Sequence, residues 1–179
     1  MVTFEEVYRR HYGDVFRFVY SKVRDYNDAL DLTSEVFLKA LKGFKGFRGL
    51  SSVKTWLFSI AVNVVKDYWA YRNRHLPLLP APYSDEADDL DNPLLASEGE
   101  YDDDEEETPD FAVPLSAFKR AYYSLPEPYR EVLYLFYVEK MTYREIAEAL
   151  GVSMGTVKSR LNRAKGKLKR LVKEEKNDP

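Results

Sequence analysis

The sequence contains no cysteine. That excludes disulfide scaffolds, thiolate zinc sites and cysteine nucleophiles. Its two histidines, His11 and His75, lie far apart in the chain, which argues against a histidine-based metal site or catalytic triad. No apolar run approaches the roughly 18 residues needed to span a bilayer. The opening MVTFEEVYRR has acids where a secretory signal needs a basic start and an apolar stretch, so the expected compartment is the cytoplasm. Positive charge is missing altogether from residues 75–110.

That last absence changes the meaning of the net charge. The 179 residues carry 27 Lys and Arg against 30 Asp and Glu, a formal charge of -3. Residues 1–74 hold 13 basic and 8 acidic side chains, residues 75–110 hold none and 14, and residues 111–179 hold 14 and 8. Two basic modules therefore flank one acidic strip, and such asymmetry bears on partners. The strip has five prolines and a DDDEEE run. It buries too little apolar surface to fold alone and reads as a flexible linker. It is either a solvated tether or an acidic segment that occupies a basic groove of a partner.

Both basic modules read as helical. Phe4, Val7, Tyr8, His11, Val15, Phe16 and Val19 recur at helical spacing. A second helix, capped by Asn27 or Asp28, would bury Ala29, Leu32, Val36, Phe37 and Ala40 and expose Asp28, Asp31, Ser34, Glu35 and Leu38. Gly43, Gly46 and Gly49 then break the helix. Ser51 or Ser52 caps a third helix, whose buried stripe is Val53, Trp56, Leu57, Ile60, Ala61, Val64 and Tyr68. In the second module, Pro114 to Ser124 forms a helix facing inward through Leu115, Phe118 and Tyr122, and LPEP turns into another containing Val132, Leu133, Leu135, Phe136 and Val138.

The most informative stretch runs from Thr142 to Lys165. Thr142 and Glu145 form a capping box, and Ile146, Ala147 and Leu150 are the apolar side of a short helix. Gly151 ends that helix, and Ser153 caps the next, whose stripe is Val157, Leu161, Ala164, Leu168 and Leu171. Two helices joined by so short a glycine turn describe a helix-turn-helix. From Ser153 to Lys173 there are eight basic residues and no acid, whereas a merely solvated helix usually mixes signs. Residues near the start of such a helix face the groove, and Arg163 suits a guanine edge and Asn162 an adenine. In the first module, aromatic and basic residues interleave around the glycine loop, a pattern suited to single-stranded or extruded bases. Phe47 on the loop and Asn63 on a polar helix face are the strongest site candidates there, while Trp56 reads as core.

The segments DALDLTSEVFLKA (28–40), FRGLSSVKTWLFSIAVNVVKDY (47–68), LPEPYREVL and MTYREIAEALGVSMGTVKSRLNRAKGKL (125–168) together resemble an RNA polymerase sigma factor of the extracytoplasmic-function (ECF) group, in the sigma-70 family. The resemblance implies an all-α chain of two small helical domains, a region-2-type domain over 1–74 and a region-4-type domain over 111–179, joined by the acidic linker. It implies core RNA polymerase as a partner, gripped at the β′ clamp helices through Leu30, Asp31, Ser34, Glu35 and Leu38 and touched also at the β flap. Ser34 stands where the family usually has Gln. Promoter DNA is the other implied partner. Phe47, Arg48, Lys54, Asn63 and Lys66 would open and read the −10 element, with Phe47 and Asn63 lining the pocket for an extruded base. Thr156, Lys158, Ser159, Asn162 and Arg163 would read the −35 element, with Tyr143 and Arg144 on backbone phosphates. The linker would thread toward the RNA exit path, where its charge can mimic nascent RNA. An anti-sigma factor is a further partner, whose presence the sequence leaves open. No cofactor and no catalytic constellation is implied, so the chemistry belongs to the polymerase. The competing reading is a conventional helix-turn-helix regulator that does not bind core polymerase.

Overall fold

A computed structural model describes residues 2–76 and 114–177. The acidic strip, with both readings of it, lies almost wholly outside the described residues. All described elements are helical: α1 (Phe4–Val23), α2 (Tyr26–Phe44), α3 (Val53–His75), α4 (Leu115–Tyr123), α5 (Glu127–Leu133), a π-turn (Tyr134–Val138), α6 (Tyr143–Leu150) and α7 (Met154–Asn177). The described residues fall into two compact units. One gathers those up to 76 with Tyr134–Met154, and the other gathers 114–133 with 155–177.

In the first unit, α1, α2 and α3 pack on one another. Thr3 caps α1 through a box with Glu6, and Arg24 ends it with a left-handed residue at φ 56°. Asp25, rather than Asn27 or Asp28, caps α2, its carboxylate accepting from the Asp28 N–H at 2.9 Å. The helix starts sooner than the pattern indicates because Arg24 closes α1 directly before the cap. Ser52 caps α3 as expected.

The α2 stripe is buried in full, from Ala29 through Ala40. On α1 the buried face is Val7, Val15, Phe18, Val19 and Val23, while Tyr8 is exposed and His11 and Phe16 are half-buried. Phe18, which the apolar spacing passes over, is fully buried and meets Phe58 edge-on at 5.2 Å and Tyr134 at 5.6 Å. A buried phenylalanine contributes about 3 kcal/mol from area alone, so Phe18 anchors this unit. On α3 the buried residues are Thr55, Leu57, Phe58, Ala61, Val62, Val64 and Val65. Trp56, Ile60 and Tyr68 are only half-buried, because α3 is enclosed on more than one side and its apolar surface is broader than a single stripe.

In the second unit α4 turns its alanines inward. Ala117 and Ala121 are buried, Phe118 and Tyr122 half-buried, and Leu115 exposed. Small side chains let this short helix approach closely, a choice that a search for large apolar residues does not find. Leu125, Tyr129, Val132 and Leu133 are buried, as are Val157, Leu161, Ala164, Leu168 and Val172 on α7. Val172 takes the place expected for Leu171, which is half-buried. The Lys167 ammonium lies over the Tyr129 ring at 5.6 Å, and Arg120 pairs with Glu175 at 2.7 Å.

The helix expected through Val138 is α-helical to Leu133 and π-helical from Tyr134 to Val138. In the π-turn Leu135 is buried and Val138 exposed. Its widened backbone is closed by the Glu139 N–H on the Tyr134 carbonyl and the Met141 N–H on the Leu135 carbonyl. Lys140 then adopts φ 55°, left-handed for a non-glycine residue. Thr142 and Glu145 make the expected capping box on α6, and Gly151 ends that helix at φ 68°.

Candidate nucleic-acid interface

The aromatic residues near the glycine loop form a connected cluster. Phe4 meets Phe44 edge-on at 5.5 Å, Phe44 lies 6.3 Å from Trp56, and Phe47 tilts against Trp56 at 4.9 Å. A side chain at Gly43 would press a Cβ to 3.3 Å from the Trp56 ring. The loop is thus pinned to α3 by Phe47, and Trp56 is the platform rather than part of the deep core. Gly49 turns at φ 67°, leaving Arg48, Gly49 and Leu50 exposed beyond the pin. Asn63 and Lys66 are exposed one turn apart on α3. Lys54 lies about 13 Å from Asn63 along the helix axis, by the rise per residue. It is not open to solvent like the other two. Its ammonium donates to the Glu139 carbonyl at 2.7 Å and pairs with the Glu139 carboxylate at 2.8 Å.

Lys54 has a neighbour in the same relation. The Thr55 hydroxyl donates to Glu145 Oε1 at 3.4 Å, while the other Glu145 oxygen accepts from the Thr142 N–H at 2.9 Å and its hydroxyl at 3.0 Å. The Thr142 amide, above all, holds the Glu145 carboxyl below its ordinary value, helped by the two hydroxyls and the Lys54 charge and opposed by burial. His11 is also shifted. Burial lowers its pKa, the charges of Arg10 and Lys54 lower it further, and Asp14 opposes them.

The outward face of α2 carries Asp31, Ser34, Glu35 and Leu38, all exposed, at the spacing of one helical stripe. Leu30 is half-buried at its edge. Ser34 turns its hydroxyl back onto the Leu30 carbonyl at 2.9 Å, and Glu35 pairs with Lys39 at 3.0 Å. A third constellation is one that the sequence pattern does not single out. Tyr68 and Arg72, one turn apart on α3, both donate to Asp28 Oδ2, and Arg72 also donates to the Tyr68 oxygen. The i, i+4 pairing of a tyrosine and an arginine is its one local signal.

On α7, Asn162 is exposed and Thr156, Lys158, Ser159 and Arg163 are half-buried, while Val157, Leu161 and Ala164 are buried. On α6, Arg144 is exposed and the Tyr143 ring stacks on Phe136 at 5.4 Å. Among the described residues no cluster of three His, Asp or Glu side chains is placed to hold a metal ion, and no helix is long and apolar enough to cross a membrane.

A family model described as "Sigma-70 region 2" matches residues 7–75, and one described as "Sigma-70, region 4" matches residues 117–168. The chain is 30% identical over 178 residues to the ECF RNA polymerase sigma factor SigM of Bacillus subtilis, covering 99% of each. It is 30% identical over 170 residues to the ECF RNA polymerase sigma factor SigE of Mycolicibacterium smegmatis, covering 94% of this chain and 61% of that one. A solved structure of the sigma factor RpoE from Bartonella quintana, in complex with the anti-sigma factor NepR, has a similar fold. Its TM-score is 0.68 at 24% identity, with 98% of each chain covered.

Proposed function

The chain belongs to the ECF group of the sigma-70 family, and from that premise we propose how its matched regions divide the work of starting transcription. As a sigma factor it acts with core RNA polymerase and directs promoter-specific initiation. It is an initiation factor with no chemistry of its own, working in the cytoplasm, and the bond-forming step is the polymerase's.

Region 2, taken as residues 1–74, engages the β′ clamp helices through the Asp31, Ser34, Glu35 and Leu38 stripe with Leu30 at its edge. The same region opens and reads the −10 element. The observation that carries this part is the pinned loop: Phe47 is held on Trp56 while the residues beyond it stand in solvent. A loop anchored in this way can insert between bases without collapsing onto its own helix. Asn63 and Lys66 lie on α3, where an extruded base and its phosphate would be met. Extrusion costs a few kcal/mol, offset by contacts in the pocket.

Region 4, taken as residues 111–179, reads the −35 element with Thr156, Lys158, Ser159, Asn162 and Arg163. Tyr143 and Arg144 contact phosphates, which set register and carry no sequence information. The β flap is its surface on the polymerase. An anti-sigma factor is the natural regulatory partner, as in the solved complex of the related fold. The acidic strip serves as tether and, by its charge, as a mimic of nascent RNA.

The deciding experiment mixes the purified chain with core polymerase and a promoter library and maps transcript starts. Starts clustered behind a shared pair of elements are expected. Sequence-specific DNA binding without core-dependent starts would instead identify a conventional helix-turn-helix regulator.

A further inference from the structure

Four glycines of the chain have a reason within it. Gly49 and Gly151 hold positive φ, and a Cβ at Gly13 or Gly43 would stand 3.3 Å from a neighbouring side chain. Gly166 has neither reason. It lies inside α7 and is exposed. Its two sequence neighbours apart, no described side chain lies within 4 Å of a Cβ built there. Only proline is less favourable than glycine in an exposed helix interior. Alanine at this position would strengthen α7 and displace none of the described residues. What the missing side chain leaves open is space outside the chain.

The place of that space on the helix is specific. Gly166 is two residues from the buried Ala164 and two from the buried Leu168, which puts it on the opposite side of α7. It stands one turn beyond Asn162, also exposed. Lys165, Lys169 and Arg170 border it, and no acid occurs between Ser153 and Lys173. Lys167 is turned onto the Tyr129 ring at 5.6 Å. A bare stretch of backbone bordered by cations fits a polyanion better than an apolar protein surface. Gly166 lies about 15 Å beyond Thr156 along the axis. The major groove is about 12 Å wide, so a helix with Thr156 among the bases has reached the sugar–phosphate strand at the groove edge by Gly166.

We propose that Gly166 is a positioning residue for promoter DNA: its bare backbone seats against the sugar–phosphate strand and lets α7 lie low enough for Asn162 and Arg163 to reach base edges. This rests on the reading of α7 as the −35 reader and adds a residue to it. A methyl group at Gly166 would hold the helix off the strand. Hydrogen bonds near about 2.9 Å do not survive a displacement approaching 1 Å. A side chain here therefore strengthens the free helix and weakens its hold on DNA, so the two properties respond to Gly166 in opposite directions.

The test uses the full chain as wild type, Gly166→Ala and Gly166→Leu. Amide hydrogen exchange over α7 is followed in the free proteins, and binding to core polymerase and then to promoter DNA is titrated for each. The promoter carries both elements, with single-base variants across the −35 element. Gly166→Ala is expected to slow exchange in α7 and leave core binding unchanged. It should raise the half-saturating concentration of holoenzyme on the promoter by about fivefold, the weight of one weakened hydrogen bond. Discrimination at the base facing Asn162 should narrow, and Gly166→Leu should bind more weakly still. Unchanged promoter binding and discrimination by Gly166→Ala, where the wild type does discriminate, would overturn the role of Gly166 and leave α7 as the −35 reader. A defect confined to core binding would assign the bare surface to the polymerase and overturn the DNA contact. Wild-type binding indifferent to the −35 sequence would overturn the reading of α7 itself, and the role of Gly166 with it.

Discussion

The Tyr68 hydroxyl donates to the carboxylate of Asp28, joining the first turn of α2 to the last third of α3 across 40 positions of sequence. Arg72 donates to the same carboxylate oxygen at 3.1 Å and lies over the Tyr68 ring. Burial raises the Tyr68 pKa, and the bond to Asp28 raises it further, so the phenol stays protonated and remains a donor. Asp28 also lies in the first turn of α2, where negative charge is favoured by the helix dipole. One carboxylate therefore serves a helix start and an inter-helix bond together.

Tyr68→Phe should lower stability by about 1–2 kcal/mol, since a hydrogen bond to a charged acceptor is lost while the ring stays. Urea unfolding followed by helix signal would measure it, with the midpoint lowered and the slope unchanged. Arg72 remains to pair with Asp28, so the cost should stay well below that of removing Asp28 itself. A loss above about 4 kcal/mol would mean that the bond organises the whole α2–α3 junction.

Much of this fold is legible in the sequence because its local signals agree with its packing. On α2 the spacing alone picks out Ala29, Leu32, Val36, Phe37 and Ala40, and every one is buried. Thr142, Glu145 and Gly151 mark both ends of α6 by capping chemistry that needs no distant partner. What escapes the pattern depends on residues far away in sequence. Phe18 is core because Phe58 and Tyr134 close over it, and the π-turn sets Glu139 where Lys54 can reach it. The α2 cap differs from the expected residue because Asp25, Asn27 and Asp28 are all good capping residues within four positions. Only the closure of α1 at Arg24 selects among them.

Acidification should destabilise the protein in two stages. His11 has a folded pKa below its ordinary value of 6.5, mainly through burial. Its contribution is therefore complete above 6.5 and is lost as pH falls from there through the folded value. Glu145 has a folded pKa below its ordinary value of 4.5, mainly through the Thr142 amide. Its contribution is complete above 4.5 and is lost as pH falls through the folded value. Urea midpoints measured across the acid range should show both stages. His11→Gln should remove the first and leave the second, and a variant that retained both would assign the first stage to another group.

Arg163 offers a test of base reading on α7. Replacing it by alanine should cost about 1–3 kcal/mol of promoter binding at one base position of the −35 element and relax the preference there. Holoenzyme binding to a set of single-base promoter variants would resolve the position. A phosphate contact behaves differently: its loss weakens all the variants alike and flattens the salt dependence. The same comparison on Arg144→Ala, proposed as a phosphate contact, should give that second pattern.

Asn63 distinguishes strand opening from duplex binding. It stands exposed on α3, one turn from Lys66 and remote from Lys54 near the helix start. If its amide meets an extruded base, that bond exists only after the base has left the stack. Asn63→Ala should then leave the initial closed complex nearly unchanged and slow open-complex formation by about tenfold, the equivalent of one hydrogen bond of about 1.4 kcal/mol. On a template already mismatched across the −10 element, most of the unpairing cost is prepaid. The wild-type protein and Asn63→Ala should then differ less in the rate of opening, while the open complex of the variant should still dissociate faster. An equal defect in opening on duplex and mismatched templates would place Asn63 in duplex binding rather than at the extruded base.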